Sequence, residues 1–513
     1  MLPRPAIAPR ITRLLLLASM LLGLIGTATA AQTPATVPDQ LRPVLPEWRG
    51  ELAGVLDTAA AAYTVDAEIV MPSGDVPSPR IRGTVTVSWT NTTGETIDAL
   101  PFRLYANGPD PGHDAMRVTS ATRNGVAVPT EVSADGSTVS VPLAPALGPG
   151  KTATVALDYT LDMPVDSREQ YGILNISTEH GTWALAGWYP IIAGRDPARG
   201  WVLDPPSVNG DPIFSDVASY DVTFRAPAGW RVIGTGITTE TVKRGSGVDH
   251  HFVTGPVRDM TLVLDNDFES VATEVNGTTI TSWYEPGQER VGEAVLTYAA
   301  QSLEYFNELI GPYPYTTLDL VPVDLFGAAG VEFPQLIYIG SSYYRDDFNL
   351  DVPNGLDFTV AHEVLHQWWY GLVGNNQYDH AFIDEGLTNF MSSQLYFTAT
   401  YGPEAGEQIL QRYIQNPFES FNRAGPDVIV DTPTDAQSSS DYSYAAYQKA
   451  PMGFKAIYDE IGHDAFAAAV QRYYAEHRFT TATPADLLAA FEAASGQDLG
   501  DLWRYWFEEA HGA

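Results

Sequence analysis

The sequence predicts an α+β fold with more than one domain, in which a β-rich N-terminal domain precedes an α-rich C-terminal one. Short runs between about residues 50 and 265 alternate apolar and polar residues with a period of two, which is typical of antiparallel strands. Near residue 288 the apolar spacing becomes helical. With 513 residues, of which 44% are hydrophobic, the chain is long enough for two or three folded domains.

The predicted strands show this alternation clearly. In "GTVTVSWTN", Val85, Val87 and Trp89 fall on one face, and "TATVALDYTL" and "SYDVTFRAP" repeat the pattern. Turns rich in Gly, Pro, Asn and Asp separate the runs, as expected for an antiparallel sheet.

Helical signals dominate the second half of the chain. Residues 291–309 have helical spacing, and Gly311 and Pro312 follow as stop signals. "TTLDLVPVD" is a predicted strand, and "FTVAHEVLHQWWYGLV" (358–373) and "EGLTNFMSSQLYFTATYG" (385–402) are predicted helices. The run Thr483-Pro484-Ala485-Asp486 predicts a capped helix start.

The N-terminus has the pattern of a secretory signal peptide. Basic residues precede the apolar run "LLLLASMLLGLIG", and Ala28-Thr29-Ala30 follows it, so we expect cleavage after residue 30 and export of the mature protein. The apolar run is shorter than the ~20 residues that a membrane span needs, and no later segment is long enough to cross a bilayer. We expect a linker over 31–48, the β-rich domain over 49–268 and the α-rich domain over 269–513.

Composition restricts the possible partners and chemistry. The chain carries 63 acidic and 28 basic residues, a formal charge of −35, which argues against a nucleic-acid partner. It has no cysteine, so it forms no disulfide and has no thiol nucleophile. Any metal must therefore be held by His, Asp or Glu.

The segment "AHEVLH" carries the strongest functional signal. On a helix, His362 and His366 lie four residues apart on one face and can reach the same ion. Glu363 follows the first histidine, at the offset that suits a base acting on water at the metal. An ordinary buried helix with spare histidines is the alternative, but chance alone gives on the order of 0.01 such patterns in this composition.

A catalytic zinc site needs a third protein ligand. Glu385 opens the next predicted helix, 19 residues after His366, and is the first candidate. His380, in the intervening loop, is the competing candidate, although no predicted helix orients it. Asn389, one turn after Glu385, is a candidate for orienting a ligand histidine by a hydrogen bond.

The spacing HExxH-x18-E, with His366-Gln367-Trp368, resembles the gluzincin metallopeptidases of the membrane alanyl aminopeptidase family, peptidase family M1. The resemblance implies a thermolysin-like α/β catalytic domain with a helical C-terminal lobe. It also implies one Zn²⁺ per chain held by His362, His366 and Glu385, with Glu363 as general base. The family's third ligand lies in an Asn-Glu-Gly motif, from which Asp384 departs. About 65 residues follow Tyr447, so we expect a short form without the long helical C-terminal domain.

Two further segments extend the resemblance. In "GAAGVEFPQ", Glu332 matches the family glutamate that binds a substrate's free α-amino group, although Val331 and Phe333 replace the usual Met and Asn. Tyr447, in Tyr-Gln-Lys, matches the tyrosine that stabilises the tetrahedral intermediate. The second amine-binding residue that the family supplies from its first domain has no evident equivalent in this sequence.

The sequence therefore predicts an exported zinc-dependent aminopeptidase that acts on peptides. Two alternatives stay open: a related zinc hydrolase that is an endopeptidase or acts on another small substrate, and a non-catalytic binding module. No sequence feature predicts an oligomeric state.

Overall fold

The computed structural model describes residues 37–73, 78–109 and 114–511. From Pro38 onward the described residues form one compact unit. The predicted signal peptide, residues 1–30, and the start of the predicted linker lie outside the described residues.

The first part of the chain is built almost entirely of strands. They are β1 (Ala61–Val70), β2 (Arg80–Thr90), β3 (Ile97–Arg103), β4 (Met116–Arg123), β5 (Val126–Ala127), β6 (Glu131–Val132), β7 (Thr138–Leu147), β8 (Thr152–Asp162), β9 (Leu174–Ile176), β10 (Trp183–Leu185), β11 (Ile191–Ile192), β12 (Arg195–Asp196), β13 (Gly200–Trp201), β14 (Ala218–Pro227), β15 (Arg231–Gly234), β16 (Ile237–Arg244), β17 (Gly247–Val257) and β18 (Leu262–Asp265).

The largest sheet has the strand order β16-β17-β14-β1-β2-β8-β4-β5. Its neighbouring strands are antiparallel, except that β1 and β14 are parallel. Val85, Val87 and Trp89 of β2 are buried, whereas the residues between them are more exposed. One face of this sheet therefore covers the core, as the period of two predicted.

A second, mixed sheet begins at residue 269 and has the order β19-β20-β21-β23-β22. Strand β21 pairs in parallel with β20 and β23, and β22 is an antiparallel edge strand. The remaining strands are β19 (Glu269–Val275), β20 (Thr278–Tyr284), β21 (Thr317–Val323), β22 (Gly330–Val331), β23 (Leu336–Gly340), β24 (Gly374–Asn375) and β25 (Thr481–Ala482).

Most of the helices of the described residues lie in the second half of the chain. The helices are α1 (Arg49–Thr58), which precedes β1, and then α2 (Glu289–Leu309), α3 (Gly355–Leu365), α4 (Gln377–His380), α5 (Phe382–Phe390), α6 (Phe397–Tyr401), α7 (Pro403–Leu410), α8 (Asn416–Ala424), α9 (Ser439–Tyr444), α10 (Ala450–Ile461), α11 (His463–His477), α12 (Pro484–Ser495) and α13 (Gly500–Trp503). Four π-helical segments join some of them: Met391–Tyr396, Gln411–Gln415, Ala445–Lys449 and Arg504–Glu508. Among the helices of the described residues, none has the length and apolarity that crossing a bilayer requires.

Most of the predicted elements are present at the expected places. Helix α2 ends at Leu309, just before Gly311, and α12 begins at Pro484 with a capping box between Thr483 and Asp486. The predicted helix over 358–373 is wrong at its C-terminal end, because α3 stops at Leu365. Tyr370 has a φ of 100°, a conformation that no α-helix contains, and the chain turns there towards β24.

The end of the predicted linker is folded. Residues 39–41 and 46–48 form 3-10 turns, and Val44 is fully buried. The Leu45 N–H donates to Pro314 O at 2.9 Å, so this segment packs on the approach to β21. The domain boundary near residue 268 stays a prediction.

Arg258 connects the β-rich part to the helical part. Its side chain is buried and donates to Ser215 O at 3.1 Å, to Tyr370 O at 2.6 Å and to Thr480 O at 2.6 Å. A Cβ at residue 374 would lie 2.1 Å from the guanidinium carbon, so only glycine fits there. One cation thus satisfies carbonyl groups from three segments that are distant in sequence.

We expect Arg258→Met to lower the free energy of unfolding by about 3 kcal/mol or more, because each buried carbonyl left without a donor costs about 1–3 kcal/mol. Urea denaturation measures this loss. The matched variant Arg423→Met removes a side chain that is 70% exposed and should change stability by less than about 0.5 kcal/mol. Equal effects of the two substitutions would contradict this role of Arg258.

Candidate metal centre and active site

Helix α3 directs the two motif histidines at one point. The Asn354 side chain caps the helix by accepting from the Asp357 N–H at 3.0 Å. His366 directly follows the last helical residue, and its N–H still donates to His362 O at 3.2 Å. The helical spacing therefore persists, and the two Nε2 atoms lie 3.0 Å apart.

Glu385, on α5, completes a three-residue cluster. Its Oε2 lies 3.2 Å from His362 Nε2 and 3.4 Å from His366 Nε2. Helix α5 packs closely against the start of α10 because residue 386 is glycine, where a Cβ would lie 2.6 Å from Ala450 Cβ. All three side chains are buried.

The three ligand atoms fit a zinc ion. In a tetrahedral site with ligand distances of about 2.0–2.1 Å, ligand atoms lie about 3.3 Å apart, close to the separations in this cluster. The Nδ1 atom of His366 lies 2.9 Å from Trp369 O and donates to it. The lone pair on Nε2 is therefore free to bind a metal ion. Two imidazoles and one carboxylate form a donor set found in catalytic zinc sites.

His380, the competing third ligand, lies outside this cluster. Its Nδ1 pairs with Asp431 Oδ1 at 2.5 Å, and its side chain is 30% exposed. The structure brings Glu385 to the two histidines and places His380 in a separate ion pair.

Glu363 is buried at the cavity wall beside β22. A Cβ at residue 330 would lie 2.5 Å from both Cγ and Oε1 of Glu363, so the edge strand reaches the glutamate only because residue 330 is glycine. Burial raises the pKa of Glu363 well above its ordinary value.

Glu332 follows β22 and is also buried, with 4% of its surface exposed. The Gln367 side chain holds its segment by donating to Phe333 O at 3.1 Å and accepting from the Gln335 N–H at 2.9 Å. Among the described residues, Glu332 Oε1 has no hydrogen-bond partner. Burial and then the charge of Asp211 raise the pKa of Glu332 well above its ordinary value.

Asp211 is a site residue that the sequence did not reveal. It lines the same cavity as Glu332 and lies on a loop of the β-rich part. The Gly210 N–H donates to the Tyr171 hydroxyl at 3.0 Å, and Asn209 Nδ2 donates to Gln437 O at 2.9 Å. These bonds fix the loop, but the loop has no motif or periodicity that could have indicated Asp211.

Tyr447 and Asn389 interact with each other across the cavity wall. The Tyr447 hydroxyl donates to Glu385 Oε1, and Asn389 Nδ2 donates to Tyr447 O at 2.9 Å. In an α-helix this carbonyl would accept from residue 451, but Pro451 has no N–H and the segment is π-helical. Asn389 thus supports the tyrosine, and its predicted role in orienting a histidine stays a prediction.

Seven of these residues line one cavity of about 530 Å³: Asp211, Glu332, His362, Glu363, Glu385, Asn389 and Tyr447. Four carboxylates line it, from Asp211, Glu332, Glu363 and Glu385, and its described lining includes no lysine or arginine. Such a cavity favours protons on its carboxylates or cations from outside the chain. A divalent metal and a ligand with an ammonium group are two cations that it suits.

Residues 295–506 match the Peptidase family M1 domain. Among curated proteins, the chain is 26% identical over 264 residues to Aminopeptidase 2 of Candida albicans and 22% identical over 313 residues to Aminopeptidase N of Streptomyces lividans. These alignments cover 50% and 57% of this chain but 27% and 35% of those proteins. The chain thus spans about a third or less of the length of these relatives.

Among solved structures, the chain is similar to an M1 zinc metallopeptidase from Deinococcus radiodurans. The TM-score is 0.63 at 16% identity, over 87% of this chain and 94% of that one. The likeness confirms the predicted fold: an N-terminal β-sheet region, a mixed α/β middle and a helical C-terminal part.

We expect the metal-depleted protein to bind one Zn²⁺ per chain, with a rise in melting temperature, because binding to the folded state alone stabilises it. His366→Ala should weaken zinc binding more than 100-fold, since even partners behind the ligands contribute 10–100-fold. Calorimetric titration measures the number of bound ions and the affinity, and a thermal melt measures the rise in melting temperature. His380→Ala, the matched control, should bind like the unmodified protein; a similar loss in His380→Ala would contradict the ligand assignment.

Proposed function

This chain belongs to peptidase family M1, and we propose that it is an exported zinc-dependent aminopeptidase that removes N-terminal residues from peptides. The observation that carries the proposal is the pair Glu332 and Asp211, two carboxylates in the same cavity as His362 and Glu385, whose described lining includes no lysine or arginine. The relatives named aminopeptidases support it, as does the signal-peptide pattern over residues 1–30 for export.

Glu332 and Asp211 would select the free N-terminus. A peptide ammonium has three N–H donors and one positive charge, so it can donate to both carboxylates at once. An acetylated N-terminus has neither the charge nor the spare donors. The pair therefore positions the first peptide bond at the metal cluster and excludes blocked peptides.

The cluster of two histidines and Glu385 would hold the zinc, which supplies a Lewis acid and makes a water molecule acidic near neutral pH. Glu363 accepts a proton as the water oxygen bonds to the carbonyl carbon. It then gives this proton to the leaving nitrogen as the C–N bond breaks. The Tyr447 hydroxyl donates a hydrogen bond to the carbonyl oxygen, where negative charge develops.

The edge strand β22 suits an extended substrate. Residues 327–331, which line the cavity, are glycine, alanine or valine, and β22 has a paired neighbour on one side only. A peptide can therefore add to the free edge through its backbone, and this addition does not depend on its side chains.

Aminoacyl fluorogenic substrates and their N-acetylated forms test the proposal directly. We expect cleavage of the free-amine form only, and loss of zinc should abolish it. Glu332→Gln and Asp211→Asn should each lower kcat/KM for free amines about 10- to 150-fold, the equivalent of a charge-assisted hydrogen bond of about 1.5–3 kcal/mol. Equal cleavage of blocked and free substrates would instead identify an endopeptidase.

Glu363→Gln should bind zinc like the unmodified enzyme but lose about 10²- to 10⁴-fold in kcat, because the amide cannot accept the proton. Steady-state kinetics together with metal analysis separates the two effects. Glu404→Gln, an exposed position on α7, is the matched control and should keep full activity. Retained turnover in Glu363→Gln would exclude this residue as the base.

Asn389→Asp should lower kcat about tenfold or more while zinc binding persists, because the new oxygen faces the Tyr447 carbonyl and displaces the tyrosine. The effect should shrink when Tyr447 is already phenylalanine, which a double-mutant cycle measures. Asn349→Asp, whose exposed side chain accepts a backbone N–H that aspartate also accepts, is the control. Full additivity of Asn389→Asp and Tyr447→Phe would show that the two residues act separately.

A further inference from the structure

The cavity has two chemically different ends, which lie at opposite ends of helix α3. Gln367 holds the Glu332 segment, and residue 330 touches Glu363. The step from residue 330 to residue 332 along the strand covers about 6.6 Å, and the step from Glu363 to Gln367 along the helix covers about 6 Å. Because the two steps are nearly equal, the strand and the helix run side by side. The carboxylate end of the cavity therefore lies near the C-terminus of α3.

The opposite end of the cavity is aromatic. Phe358 lies one turn before His362, and the centroids of the two rings are 6.2 Å apart. Tyr413 stacks on Phe358 with a centroid distance of 5.2 Å and an interplanar angle of 24°. Both rings are half-buried and line the cavity, so each offers apolar surface to a ligand.

No charged side chain among the described residues lines the cavity at this end, and the Arg412 guanidinium lies over the Tyr413 ring, 5.4 Å from its centroid, outside the lining. The carboxylates of the cavity lining belong either to the amine site or to the metal cluster with its base. Thr359, the nearest polar lining residue on α3, already donates to Gly355 O at 3.0 Å and pairs with the Tyr343 hydroxyl at 2.9 Å. A substrate side chain therefore meets mainly apolar ring surface at this end.

The proposed direction of the substrate identifies what reaches the rings. A peptide with its ammonium at Glu332 and its first carbonyl at the metal cluster continues towards the start of α3. Neighbouring Cα atoms are about 3.8 Å apart, and one turn of α3, about 5.4 Å, separates Phe358 from His362. The side chain of the second substrate residue can therefore reach Phe358.

We propose that Phe358 and Tyr413 form the binding pocket for the side chain of the second substrate residue. The enzyme then prefers peptides with a large apolar residue there over peptides with glycine. This inference rests on the proposed aminopeptidase function and adds a specificity determinant to it.

The test compares peptides of the form Ala-X-Ala-Ala, with X as Gly, Leu, Phe or Asp, on the zinc-loaded full chain. Leu and Phe should exceed Gly in kcat/KM by about tenfold or more, the lower range for differences of one or a few methylenes in an apolar pocket. Asp, which brings little apolar surface to the rings, should stay well below Leu and Phe. Mass spectrometry of the released alanine identifies the bond that is cut.

Variants assign the preference to the two rings. Phe358→Ala and, if that variant is unstable, Tyr413→Ala should reduce the Phe-to-Gly ratio to near one. Tyr505→Ala removes a ring that is 48% exposed and outside the cavity lining, and should leave the ratio unchanged. Equal cleavage of all four peptides by the unmodified enzyme, or an unchanged ratio in both ring variants, overturns this inference alone. Cleavage of none of them overturns the proposed function instead.

Discussion

Negative charge collected in a cavity without basic side chains is the constraint on which the site depends. Glu332, Glu363 and Glu385 are buried, and Asp211 joins them from the β-rich part. Like charges in a poorly solvated space repel one another, so the cavity favours protons on its carboxylates or cations from outside the chain. In the proposed function, a divalent metal would neutralise part of this charge, a substrate ammonium would neutralise another part, and Glu363 would take up a proton.

Local backbone features place each of these carboxylates. Glycines at positions 330 and 386 let β22 approach Glu363 and let α5 approach α10, because a Cβ at either position would collide. The turn after α3, with Tyr370 at a positive φ, leaves Trp369 O free to fix the ring of His366. Glycine residues and the end of helix α3 therefore help to place the ligand side chains and Glu363.

The C-terminal part contributes through irregular helices. Tyr447 lies on a π-helical segment that ends two residues before Pro451. Asn389 donates to the Tyr447 carbonyl, whose α-helical donor would be the N–H that Pro451 lacks. Tyr413, on another π-helical segment, packs on Phe358 of α3. Both tyrosines reach the cavity from segments that depart from α-helical hydrogen bonding, a feature common at functional sites.

Much of this molecule follows from local sequence. Alternation in β2, β8 and β14 predicted the sheet, and the i, i+4 spacing of His362 and His366 predicted the shared face, because both patterns depend only on backbone geometry. The resemblance named Glu385, Glu332 and Tyr447, and the structure brings all three to one cavity. The C-terminal limit of α3 was missed, since the apolar run continues beyond the residue where the backbone leaves the helix.

By itself, the sequence determined the fold class and the pair of histidines with its adjacent base, because a helix repeats its geometry wherever it forms. Only the tertiary structure decided that Glu385 and not His380 joins the histidines, since the choice depends on how α4 and α5 pack. It alone brought Asp211 and Glu332 to one cavity, because these residues are 121 positions apart in the sequence, one on a loop of the β-rich part and the other directly after β22. Contacts between distant segments form when cores pack against each other, and no local pattern encodes them.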